Sequence, residues 1–98
     1  MVDTGLREVI LDEICDAARR YDADKVVLFG SRARGDHKDR SDIDLAVYGG
    51  DFSRLALEID EEIDTLLKFD IVNMQKPITQ ELKDSITNEG IIIYEKIR

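Results

Sequence analysis

Residues 30–44 read Gly-Ser-Arg-Ala-Arg-Gly-Asp-His-Lys-Asp-Arg-Ser-Asp-Ile-Asp, and how this stretch is read decides the fold. It follows an apolar run, Val26-Val27-Leu28-Phe29, and ends where a second begins, Leu45-Ala46-Val47-Tyr48. A small-residue turn therefore stands at the end of one strand and Asp-x-Asp at the head of the next, with ten residues between Ser31 and Asp42. Side chains alternate along a strand, so Asp42 and Asp44 share one face while Ile43, Leu45 and Val47 point to a core. Gly30 lets the backbone approach a ligand closely. Ser31 starts a helical turn whose leading amides suit an anion. Two carboxylates two positions apart suit a shared cation.

Upstream, Leu6, Val9, Ile10, Ile14, Ala17 and Tyr21 recur at spacings of three and four. They predict an amphipathic helix capped by Asp3 or Thr4. Lys25 to Phe29 predicts a strand buried on both faces. Ser31 to Arg34 predicts a helical turn ended by Gly35, and Asp36 to Ser41 a polar loop. Downstream, a strand over Asp42 to Tyr48 stops at Gly49-Gly50. Ser53 is expected to cap a helix with Leu55, Ile59, Ile63, Leu66 and Leu67 on its apolar face. Glu58, Asp60, Glu61, Glu62 and Asp64 fall mostly on its wet side, and the same acids would suit a basic partner. Phe69 to Met74 predicts a third strand. Thr79 caps a helix carrying Leu82 and Ile86, Gly90 closes it, and Ile91 to Tyr94 is a fourth strand.

Helices alternating with strands predict an α/β (α+β) fold: a small mixed sheet of about four strands with helices packed against it. The link between the first two strands is too short for a parallel crossover, so they should be antiparallel. Residues 1–98 are expected to form a single domain.

The net charge is −8, with 43% hydrophobic residues. An acidic chain is a poor general nucleic-acid binder, because phosphate contacts come from Lys and Arg. It better suits a basic protein, a cationic small molecule or a metal–nucleotide complex. The lone Cys15 excludes an internal disulfide and reads as a buried small residue. One His and one Cys cannot build a structural zinc site, and His37 reads as an exposed loop residue. Neither a signal peptide nor a membrane span is expected, which predicts a soluble, cytoplasmic protein.

Asp70 lies between Phe69 and Ile71 and becomes a third carboxylate if the third strand lies beside the second. Three converging acids repel one another when ionised, and Mg²⁺ or Mn²⁺ would resolve that. Two such ions would serve nucleotidyl transfer, with Asp70 as metal ligand or general base. Arg32, Arg34, Lys38 and Arg40 make a local cationic reversal that suits a triphosphate. Gly30, Ser31, Arg32 and Arg34 are therefore candidate nucleotide ligands. Plainer readings stand beside these. Asp-x-Asp is common at solvated strand ends, Ser31 can be a simple cap, and the arginines can be loop charges. The turn upstream at this distance and the third acid downstream favour the catalytic reading.

LFGSRARG followed by SDIDLAV resembles the minimal nucleotidyltransferase domain of the polymerase-beta-type superfamily, with Phe69-Asp70-Ile71-Val72 resembling its third-acid segment. The resemblance is clearest from Lys25 to Tyr94. It implies a nucleoside triphosphate donor, Mg²⁺, and transfer to a hydroxyl. At this size the chain also resembles the antitoxin members of HEPN–MNT toxin–antitoxin pairs. That implies transfer of AMP from ATP to a tyrosine of a helical HEPN ribonuclease; a homo- or hetero-oligomer stays open. Two other classes stay open. One is a small-molecule transferase, like aminoglycoside-modifying relatives, with its acceptor pocket on a separate chain. The other is a non-catalytic binding module, against which the presence of all three acids counts.

Overall fold

The two apolar runs that flank residues 30–44 pair as neighbouring antiparallel strands, β1 (Lys25–Phe29) and β2 (Ile43–Tyr48). A computed structural model of the chain describes residues 3–97. The remaining elements are α1 (Glu8–Arg20), α2 (Ser31–Arg34), α3 (Phe52–Glu62), β3 (Phe69–Asn73), α4 (Gln80–Glu89) and β4 (Ile91–Glu95). The strands form one mixed sheet in the order β3-β2-β1-β4. β2 and β3 run parallel, joined through α3, as a parallel pair requires. β4 returns antiparallel beside β1, with a register shift between Val26 and Val27.

The period-two pattern of the strands sorts side chains between two cores. Val26, Leu28, Ile43, Leu45 and Val47 meet Ile10, Ile14, Ala17 and Ala18 of α1 and Leu55 and Ile59 of α3. On the opposite face Val27, Phe29 and Ala46 pack with Ile86 of α4, flanked by the partly buried Tyr48, Val72, Met74 and Leu82. One short helix covers this second face, so its end beyond Phe29 and Ala46 stays open.

Several local expectations need correction. Asp3 does not cap α1: its carboxylate accepts the Gly5 amide at 2.8 Å, and the Thr4 hydroxyl accepts the Leu6 amide at 3.3 Å. Short polar side chains here hold turns that compete with the helix, which begins at Glu8 with no side-chain cap. Leu6 still packs on the core from outside the helix, whereas Val9 is 48% exposed. Asp51, not Ser53, caps α3 by accepting the Arg54 amide at 3.3 Å. Ile63 turns extended and ends α3, so Leu66 is wholly exposed and Leu67 reaches the core from a loop. Cys15 is only half-buried, and its thiol donates to the Ile93 carbonyl at 3.1 Å. Thr79 caps α4 as expected. Among the described residues no helix is long and apolar enough to cross a membrane.

Candidate active site

Strand register brings the acids together. Asp44 stands opposite Asp70 in the parallel β2–β3 pair and opposite Phe29 in the antiparallel β1–β2 pair. Ile43 and Leu45 point into the core beneath α1 and α3, so Asp44 points to the other face, the one that α4 leaves partly open. Phe69 and Ile71 pack with the same core, which places Asp70 on that open face too. Asp42 precedes β2 rather than opening it. It lies between two anchors: the Ile43 amide donates to the Lys68 carbonyl at 2.8 Å, and the Ser41 carbonyl is held by an arginine described below.

Asp42 and Asp70 are exposed and Asp44 is half-buried. Burial raises the Asp44 carboxyl above the usual carboxylate range, the negative charges of Asp70 and then Asp42 raise it further, and Arg34 opposes the shift. Asp44 is thus harder to ionise than a free carboxyl, and a divalent cation would favour its anionic form. Gly30 adds the space: a Cβ there would run into the Asp44 carboxylate, with Asp44 Cγ at 3.1 Å. Hard oxygen donors around a cradle kept open by glycine fit a magnesium-type ion. Among the described residues no three acid, His or Cys side chains are drawn tightly enough to hold an ion as they stand.

The turn after β1 follows the sequence closely. Gly30 has φ 76° and ψ −155°, a conformation that belongs to glycine, and it launches α2. The Ala33 and Arg34 amides donate to the Gly30 carbonyl, both at 3.1 Å, and the Gly35 amide to the Ser31 carbonyl at 2.9 Å. The Ser31 and Arg32 amides lead this turn and take no part in its bonding. Arg34 is exposed beside the turn, donating to Asp36 at 3.2 Å and Glu89 at 2.9 Å.

Arg32 contradicts its expected role as a nucleotide ligand. It is 1% exposed, and its guanidinium donates to the carbonyls of Ser41, Thr4 and Asp39. A side chain committed to backbone inside the fold cannot also meet a triphosphate. His37 is half-buried rather than exposed, and its Nδ1 is buried with no hydrogen-bond partner. Sequence offered no cue to either, because they depend on how the 36–41 loop and the segment around Gly5 fold against α2. A groove between α1 and α3, lined by Glu13, Asp16, Glu58, Glu61 and Leu57, lies away from the three acids.

The family described as "Polymerase beta, Nucleotidyltransferase" matches residues 12–98. A crystal structure of a toxin–antitoxin with AMP-PNP is 22% identical, with a TM-score of 0.70, over 88% of this chain and 73% of that one. A substituted form of the toxin–antitoxin MntA–HpeT is 20% identical, with a TM-score of 0.69 and the same coverage, 88% and 73%. A candidate nucleotidyltransferase from Sulfolobus solfataricus is 22% identical, with a TM-score of 0.58, over 95% of this chain and 85% of that one. At such identities the structural likeness establishes the fold. No curated protein matches the sequence.

Proposed function

The chain belongs to the polymerase beta nucleotidyltransferase family, and from that premise we propose that it moves AMP from ATP, with Mg²⁺, onto a tyrosine of a separate helical HEPN-type ribonuclease, which it silences as an antitoxin. One observation carries the reading: Asp44 lies in register with Asp70, on the face that Gly30 keeps open. Asp42, Asp44 and Asp70 are the residues that would hold Mg²⁺. When bound, the ion supplies neutralising charge at the transferring phosphate and lowers the pKa of the attacking hydroxyl. The Gly30–Ser31 turn offers the Ser31 and Arg32 amides and the Ser31 hydroxyl to the phosphates. Arg34 adds a cation by exchanging Asp36 or Glu89 for phosphate oxygens.

In the transfer, the tyrosine oxygen forms a bond to the α-phosphorus. The bond from that phosphorus to the oxygen bridging to the β-phosphate breaks, and pyrophosphate leaves with the electron pair. The phenolic proton passes to the exposed Asp70 carboxylate. The three acids lie on an open sheet face, which a tyrosine on a partner's flexible segment can reach. The net charge of −8 suits a basic partner, whose docking it would accelerate. The toxin–antitoxin pairs among the structural neighbours support a protein acceptor.

Labelled ATP, Mg²⁺ and a cognate helical partner, followed by mass spectrometry of both proteins, test this directly. AMP on a partner tyrosine, with loss of RNA cleavage, is the expected result. The partner's tyrosine-to-phenylalanine form should escape modification and stay active. Adenylylation of an aminoglycoside or other small alcohol with no partner present would transfer the protein to the small-molecule class.

A further inference from the structure

We infer that Arg32 is a positioning residue, which locks Asp42 in place through the backbone and ties it to a strap formed by residues 3–6. This deepens the transferase reading above and rests on it. The guanidinium is a buried cation whose hydrogen bonds all go to main-chain carbonyls: Nε and Nη2 to Ser41 at 3.1 and 2.9 Å, Nη2 to Asp39 at 3.2 Å, and Nη1 to Thr4 at 2.8 Å. Burying a charge is costly unless its donors are satisfied, so the surrounding chain is held where those carbonyls meet the fork.

Ser41 immediately precedes Asp42. Its hydroxyl accepts the Lys38 amide at 2.8 Å, and its amide donates to the Lys38 carbonyl at 3.0 Å, which makes 38–41 a closed turn. Arg32 clamps the carbonyl side of that turn. Because Arg32 is also the second residue of α2, the clamp fixes the distance between the Gly30–Ser31 turn and Asp42. Thr4 closes the arrangement from the other side of the guanidinium. Gly5, at φ +70°, lies so close that a Cβ would come within 2.8 Å of Arg32 Nη1 and 2.5 Å of His37 Nε2. The strap is thus seated on both side chains.

A lysine at position 32 keeps the charge but presents one ammonium where a planar fork spans three carbonyls. The test titrates Mn²⁺ into wild type, Arg32→Lys and Gly5→Ala by electron paramagnetic resonance, each confirmed folded by circular dichroism. ATP binding in EDTA and amide exchange at residues 41–43 are measured in parallel. Arg32→Lys should weaken Mn²⁺ binding roughly 10–100-fold, the usual effect of removing an outer support of a metal ligand. Its metal-free ATP affinity should fall by a smaller factor than its Mn²⁺ affinity, and exchange at 41–43 should accelerate. Gly5→Ala should shift Mn²⁺ binding in the same direction by a smaller factor.

Folded Arg32→Lys with wild-type Mn²⁺ affinity would overturn the inference. So would Arg32→Lys that loses metal-free ATP binding yet keeps Mn²⁺, because Arg32 would then be a nucleotide ligand. If Arg32→Lys does not fold, unchanged Mn²⁺ affinity in Gly5→Ala overturns it. Wild type that binds Mn²⁺ but transfers no AMP, with these losses seen in the variants, sinks the transferase reading and leaves the inference standing. Should wild type bind no Mn²⁺, the exchange rates at 41–43 still decide whether Arg32 holds that segment.

Discussion

Replacing Gly30 by alanine should be costly for two separable reasons. The first is conformational: at φ 76° and ψ −155° the backbone occupies a region that is essentially glycine's alone. An L-residue held there costs about 1–3 kcal/mol. The second is steric: the new Cβ runs into the Asp44 carboxylate, whose Cγ lies 3.1 Å away, so the Asp44 side chain must leave its rotamer. A displacement of that kind costs roughly 0.5–1.5 kcal/mol. Together they predict a loss of about 2–4 kcal/mol, and at about 4–8 °C per kcal/mol for a domain of this size Tm should fall by roughly 10 °C or more. The two terms separate in a double-mutant cycle with Asp44→Ala. Removing the Asp44 carboxylate relieves the collision but not the backbone strain, so Gly30→Ala should cost about 1 kcal/mol less in that background. Chemical denaturation of all four proteins, metal-free, measures both quantities. A Gly30→Ala protein within about 2 °C of wild type would refute the conformational argument. A cycle with no coupling would show that Gly30 does not face Asp44.

Other outcomes follow from the same geometry. Burial, then the charges of Asp70 and Asp42, raise the Asp44 carboxyl, so the folded state holds that proton more tightly than the unfolded chain. This contribution is present in full below the ordinary carboxylate pKa and is lost as pH rises through the raised folded value. Metal-free Asp44→Asn should therefore gain on wild type as pH rises across that interval, and a stability difference that stays constant with pH in denaturant melts would contradict the cause assigned. Asp51→Ala should lose about 1 kcal/mol with the α3 cap, whereas Ser53→Ala should stay within about 0.5 kcal/mol of wild type; the reverse ranking in the same melts would restore the cap to Ser53. Leu55→Ala, deep in the core under α3, should cost about 2–5 kcal/mol, while Leu66→Ala should leave the unfolding midpoint nearly unchanged. A large loss from Leu66→Ala would return it to an apolar helix face.

The sheet and the acids were legible because local patterns fix them. Alternation in β2 alone assigns Ile43, Leu45 and Val47 to the core and the acids to the other face, and the short link to β1 forces an antiparallel pair. Asp70 could join them only if β3 lay beside β2, which depends on α3 crossing over; the sequence allowed that neighbour without fixing it. Arg32 was misread because four cations close together look alike in one dimension. Its guanidinium turns inward onto the carbonyls of Ser41 and Asp39 and of Thr4, 28 positions away, a path the local sequence does not display. His37 was misjudged for the same reason, since Gly5 comes from the same distant segment. Leu66 was drawn into α3 because the apolar spacing continues past Ile63 with no Gly or Pro to stop it, although the backbone at Ile63 has already turned extended. The caps of α1 and α3 shifted because several Ser, Thr and Asp candidates stand close together, and only the backbone path selects among them.

The rate of AMP transfer from labelled ATP in three single Asp-to-Asn variants decides whether Asp42, Asp44 and Asp70 act as one constellation. Each variant removes a charge from the open face of the sheet, so each should stay folded by circular dichroism. Each should lose transfer by at least about 100-fold, because the remaining carboxylates cannot hold the ion and position the phosphate as before. A folded Asp42→Asn, Asp44→Asn or Asp70→Asn protein that transfers AMP at the wild-type rate would contradict the account.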